Sequence, residues 1–246
     1  MRRRDSTDTP FLGSPDTLEI KAVEHPFSFP DGADEELNAL IVDTVNRMGG
    51  VGDDAEAEYQ KALERLGQQS AQAVDSVARA YEALPEESYL DRWSLVQLLA
   101  ELRQPRALKF LDEIIGRPIP EERHPRSHDF STITEEVMIR TTAVEAVVRL
   151  SADGMDDARR VLIRHARHEQ FSVRRACVQG LTETGTEEDR KELRTILAEA
   201  GEERLLEIRR MDVREVAQAR GGRYLVHPDA RVDLPPHDLG TRQQEK

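Results

Sequence analysis

His165 and His168 lie three residues apart with Glu169 alongside, a helical spacing that can turn two imidazoles towards one metal ion. A zinc site needs three or four ligands, and His165 falls towards the apolar face defined by Ala158, Leu162 and Ala166. A hydrogen-bonded packing histidine is therefore the plainer reading. His124, His128 and Asp129 form a second grouping; prolines interrupt it, and a polar loop explains it equally. No metal and no cofactor is expected.

A second chemistry is recognition of carboxylates. Arg160, Arg164 and Arg167 stand at i, i+4 and i+7, which at about 100° per residue gathers them within about 60° of arc, opposite Leu162 and Ala166. Such guanidiniums can bind the carboxylates of a partner; a solvated face salted by Asp156 and Asp157 is the alternative. The stretch from Arg117 to Thr132 is rich in proline and carries Arg123, Arg126 and Phe130, a binding loop or a disordered one. Gly49-Gly50-Val51-Gly52 has the glycine density of a phosphate loop, but no strand precedes it and no Gly-Lys-Ser ending follows, so it reads as a helix-ending linker. No Ser, His and acid arrangement and no distinctive carboxylate pair is visible among the 48 acids. The chain is read as non-catalytic, although catalytic groups need not be neighbours in sequence.

The elements that would position these residues are helices. Apolar residues recur at helical spacing in nine segments, marked by Leu37–Val45, Tyr59–Leu66, Val74–Tyr81, Leu95–Leu102, Ala107–Ile115, Val137–Leu150, Met155–Ala166, Val173–Leu181 and Leu193–Leu197. Gly116 with Pro118 ends the fifth, and Thr186 with Asp189 predicts a capping box for the last. Leu205-Leu206 and Ile208-Arg209 suggest a truncated capping repeat. Residues 1–33 carry four prolines and read as a disordered or loosely docked tail, in which Phe27 and Phe29 either dock back on the helices or serve a partner as a short linear motif; residues 220–246 read as a second tail. Aromatics supply only 4% of residues, which favours helices packed through aliphatic side chains over β-sandwiches.

Formal net charge is −13. Residues 34–219 hold 26 basic and 38 acidic side chains, so the acid belongs to the helical body and a phosphate backbone would be repelled. Nucleic acid is an unlikely partner on these grounds; another protein is the expected one. The single Cys177 fits a reducing compartment. No apolar run reaches the roughly 18 residues a membrane span needs, and the charged start Met1–Arg4 lacks the apolar stretch of a signal peptide. A soluble, cytoplasmic protein without membrane contact is expected.

The segment IRTTAVEAVVRL at 139–150 recurs 34 residues later as VRRACVQGLTET, pairing Ile139 with Val173, Arg140 with Arg174, Ala143 with Cys177 and Val147 with Leu181. Asp91-Arg92 matches Ile139-Arg140 at a separation of 48, which leaves 14 residues beyond one period of 34, close to the length of the Pro-rich insertion at 117–132. Repeats of this length stack side by side, because one hairpin cannot bury its own apolar face. The motif VRRACVQGL resembles the HEAT repeat family, in particular the short repeats also found in phycobilisome lyases, over roughly half the chain. The resemblance implies an all-α solenoid of antiparallel helix pairs over 34–219, with a concave partner-binding side bordered by Arg160, Arg164 and Arg167. Arg140 and Arg174 match the structural arginine that in this family bonds across turns to neighbouring acids. The turn before Val173 holds His168 to Ser172 where the family usually places Asp, so the Asp–Arg ladder is not expected at that step.

The family serves many functions. Its iron-dependent hydroxylases need several His-Glu pairs, of which this chain has only His168-Glu169; its DNA glycosylases present a cationic concave face with aromatic and acidic residues around the lesion, for which Asp91-Arg92-Trp93 is the only local candidate, on an acidic body. The expected function is an interaction scaffold or adaptor. An immunity-type inhibitor that blocks a basic effector such as a nuclease, and a lyase or modification-enzyme subunit, are the alternatives.

Overall fold

The computed structural model describes Phe29 and residues 34–123 and 131–207. These are all-helical, with no strand among the described residues. The chain divides into a unit of Met1–Leu206 and a unit of Glu207–Lys246, and the described α-helices all belong to the first. The expected tail residues Phe27 and 220–246, the loop residues His124, Arg126, His128, Asp129 and Phe130, and Ile208-Arg209 lie outside the described residues.

Nine α-helices run in order among them: α1 (Glu35–Met48), α2 (Ala55–Gly67), α3 (Ser70–Ala83), α4 (Tyr89–Leu102), α5 (Leu108–Gly116), α6 (Thr132–Ala152), α7 (Asp156–His165), α8 (Phe171–Thr184) and α9 (Glu187–Ala200). Each covers the body of one of the apolar segments read from the sequence, although Ala107 falls in a 3-10 turn before α5 and Met155 and Ala166 cap α7. Local signals set the boundaries. Asp34 Oδ1 accepts from the backbone N–H groups of Glu36 and Leu37 at the start of α1, and Gly49 ends it, as the glycine-rich linker predicts. Thr186 and Asp189 form the predicted reciprocal capping box on α9, satisfying two N–H groups that a helix start leaves unpaired. Gly201, at φ 68°, closes the other end in the left-handed conformation that glycine adopts without strain.

Packing follows alternation. α4 contacts α6 and α6 contacts α8, while α5 contacts α7 and α7 contacts α9; consecutive helices join the two rows. α1 packs on α2, α3 and α4. The repeat register appears in the buried faces: counted from Arg92, Arg140 and Arg174, the third residue onward is Leu95, Ala143 or Cys177 and the fourth is Val96, Val144 or Val178. The seventh is Leu99, Val147 or Leu181, and all nine side chains are buried. A fixed apolar stripe at these spacings is one helical face turned inward. Burial pushes the Cys177 thiol up to about 12, so it serves as a small core residue rather than a nucleophile. Phe29 packs against the core, as expected of the N-terminal aromatics, and Leu205 is buried in a short 3-10 turn, Glu203–Glu207. No helix among the described residues is long and apolar enough to cross a membrane.

One close approach sets the spacing of α6 and α8. A Cβ placed on Gly180 would overlap Val148 Cγ2 across the interface. Overpacking of this kind costs about 1–3 kcal/mol, against a helix-propensity gain of roughly 1 kcal/mol for Gly→Ala. Gly180→Ala is expected to lower stability by about 1 kcal/mol in urea titration, and Gly180→Ala combined with Val148→Ala to recover it.

Candidate functional site

The three arginines that share a repeat position are buried or nearly so, and each closes the turn ahead of its helix. Arg92 Nη1 donates to the Glu86 carbonyl at 2.9 Å. Arg140 donates from Nε and Nη2 to the Arg117 carbonyl and from Nη2 to the Pro118 carbonyl, at 2.9–3.1 Å. Arg174 Nη1 donates to the carbonyls of His168 and Glu169, at 2.5 and 3.1 Å. These carbonyls belong to the connections just past α3, α5 and α7, backbone acceptors that need a donor and lie by the negative end of a helix dipole. A guanidinium answers both needs at once.

Acids complete the ladder. Glu136, 3% exposed, accepts from Arg92 at 2.5 Å and from Arg140 on its own helix, and Arg92 Nη2 also donates to the Tyr81 hydroxyl at 2.9 Å. Every N–H of Arg140 is engaged once the Glu136 carbonyl is included. Burial pushes the Glu136 carboxyl up, but bonds from Arg92 and Arg140 outweigh it and hold the group below the usual carboxylate range. Burial likewise opposes the charge on Arg92, and Glu136 and Tyr81 overcome it. Arg174 extends the series by donating to Glu202 beyond α9 at 2.6 Å. Arg140 therefore meets its acid, Glu136, on its own helix, and Arg174 meets Glu202 beyond α9. Arg92 and Glu136 escape the sequence reading as a pair, although Arg92 shares Arg140's repeat position and Glu136 stands four residues before Arg140.

Clefts lie along the same helix ends. A cavity of about 300 Å³ is lined by Tyr81, Leu84, Arg92, Arg117, Pro118 and Glu136, among others. Adjoining clefts share Arg117: one holds Arg79, Glu82 and Phe110, the next Asp112, Arg164 and His165. A further cleft holds Arg167, His168, Ile196 and Glu202. Together they follow the C-terminal ends of α3, α5, α7 and α9.

The predicted cationic stripe is present but neutralised. Arg160 pairs with Asp157 at 2.5 Å, Arg164 with Asp112 at 2.6 Å, and Arg167, past the end of α7, with Glu199 of α9 at 2.9 Å. Exposed pairs of this kind hold weakly, at about 0–1 kcal/mol, so a partner's carboxylates would compete with the chain's own. Arg123 pairs with Glu86 and Glu87. His165 is a buried packing histidine, its Nε2 2.7 Å from Asp112 Oδ1. His168 lies 6.1 Å from it, centroid to centroid, and bonds elsewhere; no group of three metal-ligating side chains is present among the described residues. Trp93 donates to Thr142 Oγ1 at 3.0 Å, and Arg92 is committed to Glu136.

Comparison with protein-family models, with curated proteins and with solved structures returns no match to this chain.

Glu136→Ala strands two buried guanidiniums, an unpairing that costs about 3–5 kcal/mol. Denaturant unfolding at neutral pH is expected to show a loss of that order. The Glu136 contribution in the unsubstituted chain is complete above the ordinary carboxylate value of 4.5 and is lost as pH falls through its lower folded value.

Proposed function

We propose that this chain is a non-catalytic protein-interaction scaffold, a HEAT-like α-solenoid of paired helices that holds another protein along the ends of α3, α5, α7 and α9. The observation that carries this reading is the succession of clefts over those four helix ends. Two rows of alternating helices also leave an outer face on each row, which is how stacked helix pairs build extended binding surfaces. Arg92, Arg140 and Glu136 at the base of the clefts bond one another and the backbone, so this part of the floor is held in place and the rim pairs at Arg164 and Arg167 are the exchangeable part. A cytoplasmic location suits the thiol at Cys177.

A second reading, an inhibitor of a basic effector, draws on charge distribution. Glu188 and Glu192 are exposed four residues apart on α9 and form no ion pair among the described residues, whereas Arg160, Arg164, Arg167 and Arg123 all do. Unpaired acids on an acidic body attract a cationic partner and quicken its arrival.

The two readings separate by position. A photocrosslinking residue at Glu113, in the clefts, is expected to capture the partner in host cells, whereas one at Glu188 captures it under the inhibitor reading, in a salt-sensitive manner. Charge reversal at Arg164 and Arg167 should weaken capture at least about tenfold, a change of roughly 1.4 kcal/mol, while Glu188→Gln with Glu192→Gln leaves it unchanged. The opposite pattern supports the inhibitor.

A further inference from the structure

The turn between α7 and α8 is held by a histidine where its register invites a carboxylate. His168 Nδ1 accepts from the Gln170 backbone N–H at 3.0 Å, the short-range bond that an Asp or Asn side chain makes in an Asx turn. Its Nε2 faces the Ile115 carbonyl near the end of α5 at 3.1 Å. A carbonyl can only accept and a backbone N–H can only donate, so the ring must be neutral, with its proton on Nε2. One imidazole thereby joins the start of α8 to the end of α5.

The charged surroundings favour the same state. Arg140 of α6 and His165 of α7 stand near the ring. The acids at the junction are mostly engaged elsewhere: Asp112 of α5 by His165 and Arg164, Glu202 by Arg174 of α8, and Glu199 of α9 by Arg167. Glu169, the next residue, is left to favour the cation. Burial holds the imidazole below its usual value; the Ile115 bond and Glu169 oppose that shift, and His165 adds to it.

We propose that His168 is a proton-sensitive latch: neutral, it ties the α7–α8 turn to α5, and protonation replaces the Gln170 N–H···Nδ1 bond with two facing donors and frees the Gln170 end of the turn, while Arg174 keeps its hold on the His168 and Glu169 carbonyls. Because His168 also lines the cleft beside Arg167 and Glu202, release alters that end of the groove.

The sign is set by the depressed folded-state value. Above the unfolded histidine value of 6.5 both states are neutral and the latch is fully in place. As pH falls below it the unfolded chain takes up the proton first, so stability is lost until pH passes the folded value. Through that window the unfolded-to-folded ratio rises by up to about tenfold per pH unit.

The test uses the full chain. Imidazole nitrogen and proton NMR shifts of His168, followed from pH 8 to pH 4.5, are expected to report the Nε2–H form, titration below the ordinary imidazole value, and movement of the Gln170 amide in step. His168→Asn keeps an acceptor for Gln170 without a titrating ring. Chemical unfolding at pH 7 and pH 5 should show a smaller loss in this variant than in the parent, and the difference isolates His168 from the other histidines. Titration at or above the ordinary value, an Nδ1–H tautomer, or equal losses in parent and variant would each overturn the proposal.

Discussion

The arrangement depends on guanidiniums placed against helix ends. A connection packed between helices carries carbonyl oxygens that no helical ladder satisfies, and each unpaired buried acceptor costs about 1–3 kcal/mol. Arg92, Arg140 and Arg174 answer this at three connections, donating to their carbonyls from the first turn of α4, the third turn of α6 and the first turn of α8. Adjacent helices are thus locked in angle and register by bonds with strict geometry, which apolar contact alone does not supply. The cost is a set of buried cations, and Glu136 offsets it for two of them. Such buried groups contribute definition more than net stability.

Around this ladder the apolar packing is graded by size. Leu95 in α4 gives way to Ala143 in α6 and Cys177 in α8 at the same register, and Gly180 accepts Val148 from α6. Smaller side chains let α6 and α8 approach closely, and α6, the longest helix, touches α4, α5, α7 and α8.

Much of this is legible in the sequence because helical periodicity is a local signal and each segment carries enough apolar positions to declare it. The capping box at Thr186, the linker at Gly49 and the burial of His165 follow from neighbouring residues in the same way. Partner identity among charged side chains is not legible. Nothing in Arg164 or Arg167 says that Asp112 and Glu199, 52 and 32 residues away, will meet them, and the stripe they form is continuous in a helical projection although Arg167 lies past the end of α7. His168 reads as a possible ligand because side-chain type is visible in a sequence and backbone partners are not. The absence of Asp from that turn is equally visible, but that an imidazole nitrogen takes over its bond depends on where Gln170 N–H points.

The connection into α6 is closed at its base. Glu122 accepts from the Thr132 backbone N–H and the Ser131 hydroxyl, Arg123 N–H donates to Thr132 Oγ1, and Arg140 grips the carbonyls of Arg117 and Pro118. Glu122, Arg123, Ser131 and Thr132 are thereby fixed relative to one another. Positions 123 and 131 accordingly stand at a set separation on the helical body, which makes them a natural pair of anchor points for splicing in a foreign peptide.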